Sequence, residues 1–128
     1  MNIYYKAQRR PQPGIKGGGK TKYVAKIVYA GEVNEEAFYR RMSEHSRLSY
    51  PDAFYAAMIF QQVLQDCLCE GKYVRLKILG TCYPQFSSRA VDTEKQVRPQ
   101  SIRNPSLHLR PTKELQERLF HALKKVKP

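Results

Sequence analysis

The fold is decided by residues 48–81, which read LSYPDAFYAAMIFQQVLQDCLCEGKYVRLKILGT. Ser49 as N-cap, Pro51 in the first turn and Asp52 three residues after the cap predict the start of a helix. Gly71 predicts its end, because glycine readily adopts the left-handed conformation that closes many helices. The apolar residues of this helix cover most of its surface: Ala53, Phe54, Ala57, Met58, Phe60, Val63, Leu64, Cys67 and Leu68. Such a helix predicts a partner, and dimerisation is the simplest source of one.

An alternating segment follows the helix. From Tyr73 to Leu79 every second residue is apolar, which predicts a strand with one packed face. The other face is basic, because it holds Arg75 and Lys77. The strand is expected to end in a turn at residues 79–81.

A second pair of extended segments lies farther along the chain. Residues 82–86 form an extended run, and strand alternation resumes at residues 107–109. The polar stretch 87–104 between them is too long for an ordinary hairpin turn in a small domain. It is therefore either a disordered loop or a protruding ribbon.

The remaining elements lie near the two ends of the chain. Residues 3–10 and 23–29 are rich in Tyr, Val and Ile, and both predict strands. Asn34 is a plausible N-cap for a helix that should end before Leu48. Thr112 is expected to cap a final amphipathic helix whose apolar stripe comprises Leu115, Leu119, Leu123 and Val126. The sequence thus predicts the α+β class.

Length and composition narrow the class of protein further. A chain of 128 residues, 41% of them hydrophobic, predicts one folded domain. It contains no apolar stretch long enough to cross a bilayer, and its first residues lack the apolar segment of a secretory signal. Three cysteines do not make a disulfide framework, so a cytoplasmic location is expected.

The charge of the chain is strongly positive and segregated. The formal net charge is +12, which predicts a polyanionic partner. Residues 1–31, 71–91 and 95–113 contain basic residues and no acid, whereas residues 32–70, mostly predicted helix, carry seven acids and three bases. A merely solvated basic surface is the alternative, but three acid-free segments favour a nucleic-acid surface.

One string matches a phosphate-binding loop. Residues 14–21 fit the pattern G-x-x-x-x-G-K-T letter for letter. That loop functions between a buried strand and a helix, because its amides and the helix N-terminus hold the phosphates. Here RRPQP precedes the string and the strand-like YVAKIVY follows it, so a basic hairpin loop is the better interpretation.

Metal and catalytic motifs find little support. Cys67 and Cys69 on a helix lie roughly 200° apart, so they cannot easily share one metal ion. Cys82 completes no familiar zinc spacing. The histidines, His45, His108 and His121, fall on different elements without an associated nucleophile or carboxylate motif. We therefore expect no enzymatic activity, no cofactor, no metal and no small-molecule substrate.

The order of these elements resembles the HU and IHF family of histone-like DNA-binding proteins. The family's alternating strand with a Gly-Thr turn is matched at residues 74–81. Its second signature, a strand followed by basic-Pro-Gly-Lys and a helix, is matched at residues 109–113, with Thr112 in place of Gly. The resemblance covers residues 33–126. The added N-terminal strands resemble an HU-related variant of Bacteroidetes-type bacteria.

The resemblance implies a fold and a function. It implies one HU-like domain over residues 1–128, with a strand-loop-strand extension at residues 1–31 and a β-ribbon arm at residues 85–107. It further implies a homodimer, or a heterodimer with a related subunit, whose two arms reach around double-stranded DNA in the minor groove. Such a protein acts at the nucleoid without a membrane partner.

The same resemblance supplies the candidate DNA-binding residues. Arg110 and Lys113 match the family's phosphate contacts at the foot of the arm. Arg75 and Lys77 lie on the exposed strand face that leads to it. The basic residues within the arm itself are Arg89, Lys95, Arg98 and Arg103.

The arm departs from the family pattern in two respects. Its first strand is uncharged, where the family's is repeatedly basic. The family's Arg-Asn-Pro, whose proline wedges between base pairs, recurs at residues 103–105, but we expect these residues near the base of the arm. The expected tip is at residues 93–95, where Asp92 and Glu94 repel phosphate and Pro99 is the nearest wedge. Phosphate binding is thus better supported than sharp bending.

Two other functions remain open on the sequence. A dimeric structural or interaction module could keep the fold while its altered arms bind protein or RNA, and the acidic arm tip favours it. A small nucleotide-binding enzyme rests on the phosphate-loop string alone. The leading hypothesis is a nucleoid-type protein that grips the DNA backbone with little sequence selectivity.

Overall fold

The structure is a computed structural model that describes residues 1–10 and 22–126. The chain folds into two compact units. Unit 1 comprises Met1–Glu32 and Glu114–Pro128, and unit 2 comprises Val33–Lys113. Helices and small sheets occur together, so the protein is of the α+β class, as predicted.

Unit 2 begins with two helices whose starts confirm the predicted caps. Helix α1 spans Glu35–Glu44, and its N-cap Asn34 accepts a 2.9 Å hydrogen bond from the Ala37 amide. Helix α2 spans Tyr50–Cys69, and the Ser49 hydroxyl accepts from the Asp52 amide at 3.3 Å. These bonds satisfy amides that would otherwise lack a partner at the helix starts.

The two helices pack around a single tyrosine. Tyr39 of α1 is 2% exposed, and its ring meets Phe54 of α2 edge-on at 5.3 Å. Its hydroxyl accepts a hydrogen bond from the Gln61 amide group at 3.3 Å. Ala53 and Ala57, both buried, have side chains small enough for the helices to approach closely.

Much of the apolar surface of α2 stays exposed, as its sequence predicted. Six of its large apolar side chains are between 43% and 68% exposed: Phe54, Tyr55, Met58, Ile59, Phe60 and Val63. Contiguous exposed apolar surface of this kind marks a contact face.

Helix α2 ends at the predicted glycine, but the strand after it is shorter than predicted. Gly71 has φ +77°, and its amide donates to the Leu68 carbonyl at 3.0 Å. Strand β3 covers only Val74–Leu76. The prediction that alternation continues to Leu79 was wrong, because the chain already turns at residues 77–79 and leaves Ile78 78% exposed.

Strands β4 and β5 form a long antiparallel ribbon. Strand β4 spans Gly80–Ser88 and β5 spans Ile102–Pro111, and the sheet order is β3-β4-β5. Only the two ends of the stretch 87–104 pair, at residues 87–88 and 102–103, and residues 89–101 form a loop, so neither sequence alternative describes the whole stretch. The ladder runs from Gly80 opposite Pro111 to Ser88 opposite Ile102. Residues 103–105 lie opposite residues 86–87, close to the foot of the expected arm at residues 85 and 107, and the loop at residues 89–101 lies beyond them.

Unit 1 contains a three-stranded sheet and a helix. Strand β1 spans Ile3–Arg10 and β2 spans Lys22–Val28, which confirms the two predicted N-terminal strands. Helix α3 spans Lys113–His121, and strand β6 spans Leu123–Lys125. The sheet order is β2-β1-β6, with β6 parallel to β1.

The prediction that the last helix continues to Val126 was wrong. The chain leaves the helix after His121 because its backbone pairs with the free edge of β1. The Ile3 amide donates to the Ala122 carbonyl at 2.7 Å, and the Val126 amide donates to the Tyr5 carbonyl at 2.9 Å. No helix in the described ranges is long and apolar enough to span a bilayer.

Candidate nucleic-acid interface

A row of basic residues crosses the sheet of unit 2. Arg75 on β3 opposes Thr81 on β4, and Thr81 opposes Arg110 on β5. Directly opposed residues of an antiparallel sheet share one face, so the two arginines lie on the same face with a small threonine between them. Strands β3, β4 and β5 contain no acidic residue.

An aromatic pair lies next to this row. Tyr83 opposes His108, and their rings stack at 5.8 Å with an interplanar angle of 26°. The Arg110 guanidinium lies 5.8 Å from the centre of the Tyr83 ring. This cation–π contact orients Arg110 through its planar face and leaves its N–H groups available to an anion.

The opposite face of the same sheet is apolar. It holds Val74, Cys82 and Leu109 in one row, and Cys82 is 5% exposed. Leu107, one rung farther along the ribbon, is 57% exposed. The sheet therefore divides into an apolar face and a basic face.

A β-bulge determines on which face Arg103 lies. Gln85 opposes Ser106 and Ser87 opposes Arg103, so Phe86 alone faces Asn104 and Pro105. Strand β5 thus has one extra residue at the bulge. Asn104 has φ +52° there, a left-handed conformation that asparagine tolerates. In a regular ladder Asn104 would oppose Ser87, and Arg103 would lie on the apolar face. With the bulge, Arg103 shares the face of Arg75 and Arg110.

We predict that Asn104→Val destabilises the ribbon. Valine strongly disfavours positive φ, so the substitution should lower the free energy of unfolding by about 1–2 kcal/mol. Asn104→Gly is the matched control and should keep the ribbon intact, because glycine adopts this conformation freely. Urea denaturation measures both variants, and equal stabilities would contradict the role of the bulge.

The loop at the end of the ribbon is compact. Residues 89–101 contain two single-turn 3₁₀ helices, Glu94–Gln96 and Pro99–Ser101. The Arg89 amide donates to the Ser101 carbonyl at 2.8 Å, and Ser101 is 3% exposed. The Ser101 hydroxyl donates to the Arg98 carbonyl at 2.7 Å. This network closes the loop onto itself.

The eight residues predicted from sequence fall into three groups. Arg75, Arg110 and Arg103 share the basic face of the ribbon. Arg89 and Arg98 line one hollow of the loop, together with Asp92 and Gln100. The others are not brought together: Lys77 lies in the turn after β3, Lys95 in a 3₁₀ turn and Lys113 at the start of α3.

All eight side chains are accessible. Each is exposed, and neither ion pair found among the described residues involves one of them. Those two pairs join Glu36 to Arg40 and Glu70 to Lys72. The predicted basic residues therefore keep their charge for an external anion.

Sequence reasoning missed the roles of Tyr83 and His108. Tyr83 lies in the extended run at residues 82–86, to which the sequence assigned no binding residue, and His108 was one of three histidines on different elements. Their stacking depends on the register of β4 against β5. Strand alternation predicted that Leu107 and Leu109 lie in a strand, but it did not predict which residues of β4 lie opposite that strand.

The structure adds no support for the other candidate sites from the sequence. The phosphate-loop string at residues 14–21 lies outside the described residues. Within the ranges 1–10 and 22–126, no cluster of His, Cys, Asp and Glu could hold a metal ion. Cys67, Cys69 and Cys82 are free thiols.

Comparisons with known proteins agree with this architecture. A family model, HU-HIG, described as an HU domain fused to wHTH, Ig, or a glycine-rich motif, matches residues 1–125. The crystal structure of a Bacteroides vulgatus protein, described as a candidate bacterial DNA-binding protein, matches with a TM-score of 0.66 and 14% identity. The match covers 98% of this chain and 48% of that protein, so this chain spans about half its length. At this identity the likeness shows the fold alone. No curated protein matches the sequence.

Proposed function

Because the chain belongs to the HU-HIG family, we propose that it is a non-enzymatic architectural protein that binds duplex DNA through the phosphate backbone. The observation that carries the proposal is the acid-free ribbon face with Arg75, Arg110 and Arg103. Guanidinium groups bind phosphate oxygens with paired hydrogen bonds. Phosphates are the same along every sequence, so binding should show little sequence selectivity. The description of the similar Bacteroides vulgatus protein points the same way.

The functional form is proposed to be a homodimer, or a heterodimer with a related subunit. The support is the exposed apolar face of α2, including Phe54, Phe60 and Val63. Burial of this face against a second chain would remove apolar surface from water, which favours association. Each dimer would carry two arms, each spanning residues 85–107 of its own chain.

Bending of the DNA would need a residue that enters between base pairs. Pro105 in the bulge and Pro99 in the loop beyond the paired strands are both exposed. They are the candidate wedges. Because duplex DNA is the proposed ligand, the nucleoid is the proposed site of action.

A second candidate function is an interaction module whose arms bind protein or RNA. The observation that favours it is the position of Asp92, which lines the loop hollow together with Arg89 and Arg98. A carboxylate there weakens phosphate binding by like-charge repulsion. RNA or protein binding with no duplex affinity would favour this module.

The proposed function predicts a steep dependence of duplex affinity on salt. Each phosphate contact contributes about 0.9 to the slope of log affinity against log salt, because bound counterions are released. Three arginines per chain therefore predict a slope of about −2.7 or steeper. A fluorescence titration of unrelated duplexes of equal length, at several salt concentrations, measures the slope and the number of chains bound.

The control in this experiment is a single strand of the same length. Similar affinities for all duplexes are expected. A slope near zero, or binding confined to one sequence, would contradict backbone recognition.

A further inference from the structure

The sheet of unit 1 presents a second basic face, distinct from the ribbon. Lys6 opposes Lys26, and Arg10 opposes Lys22. Lys124 on β6 opposes Tyr4, two residues from Lys6 along β1. Strand alternation places all five cations on one side of the sheet, and all are exposed. We call this surface the basic sheet face: Lys6, Arg10, Lys22, Lys26 and Lys124.

The other side of this sheet faces helix α3. Ile3, Tyr5, Ala25 and Ile27 line a hollow, together with Leu123 of β6 and Phe120 of α3. Helix α3 therefore lies on that side of the sheet. The cations lie on the side of the sheet that faces away from this helix.

The arrangement of the cations is unfavourable for the isolated fold. Like charges directly opposite each other on neighbouring strands repel and destabilise the sheet. This face contains two such pairs, Lys6 with Lys26 and Arg10 with Lys22. Neither ion pair of the described residues lies in this sheet, and residues 1–31 contain no acid. A polyanion would supply the missing countercharge.

Most of the net charge of the chain lies in unit 1. Unit 1 holds 11 Lys and Arg against 3 acids, a net charge of +8. Unit 2, which contains the ribbon, holds 12 against 8, a net charge of +4. The stronger electrostatic attraction for a polyanion is therefore on the unit without the ribbon.

We propose that the basic sheet face is a second binding site for the phosphate backbone of duplex DNA, an inference that rests on the proposed function. The two opposed cation pairs are four residues apart, which is about 13 Å along a strand. That distance equals the rise of about four phosphates of one strand along the DNA axis. Tyr4, Gln8, Val24 and Val28 share this face with the cations. Binding of the wild-type chain to anionic lipid vesicles with no binding to duplex DNA would therefore overturn the inference.

The test is the double variant Lys22→Glu/Lys26→Glu in the full chain. The new carboxylates oppose Arg10 and Lys6, so each repulsive pair becomes an attractive one. The melting temperature should stay the same or rise, while duplex affinity at about 0.1 M salt should fall about tenfold or more and the salt slope should become shallower. If Lys22 and Lys26 had a purely structural role, their substitution would not raise stability while it lowers duplex affinity.

The matched control is Arg47→Glu/Lys125→Glu. It makes the same change in net charge at two exposed positions off the basic sheet face, since Lys125 opposes Tyr5 on the other side of the sheet. A second variant, Lys6→Gln/Lys26→Gln, removes one pair without adding acid, in case the first does not fold. It should weaken binding in the same direction.

The outcomes separate this inference from the proposed function. Weaker duplex binding in both test variants, with binding by the control intact, supports the second site. Equal losses of duplex affinity in test and control variants would mean that only net charge matters, and would overturn the inference. If the wild-type chain binds duplex and the test variants bind equally well, the inference alone fails. If the wild-type chain binds no duplex, the proposed function fails with it.

Discussion

Arg75→Ala/Arg110→Ala is expected to weaken duplex binding at least about 60-fold at about 0.1 M salt, because two phosphate contacts are lost from each chain. The slope of log affinity against log salt should become shallower by about 1.8 for each chain bound. The loss should be the same on unrelated sequences, since phosphates carry no sequence information. Both arginines are exposed and lie in one row across Thr81, so their removal leaves the apolar face of the sheet unchanged and takes away only the contact of Arg110 with the Tyr83 ring.

The control for this prediction is Arg41→Ala/Arg47→Ala. It removes the same charge from the acidic segment around α1, where both arginines are exposed. Titrations at several salt concentrations should show little change for the control. Equal losses in the two variants would mean that only the total charge matters. A loss confined to one duplex sequence would point to base contacts instead.

Gly80→Ala is expected to destabilise unit 2 by about 2–5 kcal/mol. Gly80 has φ +137°, a conformation that residues with a Cβ rarely adopt. A Cβ there would also collide with the Arg110 carbonyl oxygen and lie 2.8 Å from the Pro111 Cα. These are backbone atoms, so the two strands would have to separate at the base of the ribbon.

Gly71→Ala separates these two causes. Gly71 also has positive φ, but a Cβ there would meet nothing within 4 Å. Its substitution should cost only the conformational strain, about 1–2 kcal/mol. Urea denaturation of both variants gives the comparison. If Gly80→Ala costs no more than Gly71→Ala, the close approach of β4 and β5 at this point is not what selects glycine.

The start and end of α2 could be predicted because their causes are local. The Ser49 hydroxyl bonds to an amide three residues away, and Gly71 permits a left-handed turn within its own residue. Neither depends on a distant part of the chain. The same holds for Asn34 at the start of α1.

The candidate DNA-binding residues could be predicted only in part. Arg75 and Arg110 were identified because they flank short motifs whose order resembles the HU and IHF family. Their common face depends on the intervening Thr81, which opposes both. Lys77 was assigned to the same strand face, but the chain had already turned there. The length of a strand depends on which of its residues pair with a neighbouring strand. A pattern of apolar residues does not show where that pairing ends.

By itself, the sequence determined the α+β class, the caps of α1 and α2 and the segregation of charge, because these follow from local conformational preference and composition. Three features were decided only by tertiary structure. Residues 123–125 continue a helical pattern, yet the free edge of β1 offers their backbone hydrogen bonds that end the helix. The bulge at Asn104 sets the face of Arg103, and the pairing of β1 with β2 brings Lys6 opposite Lys26. Each depends on register between segments distant in sequence, and register is a property of the folded pair of strands rather than of either strand alone.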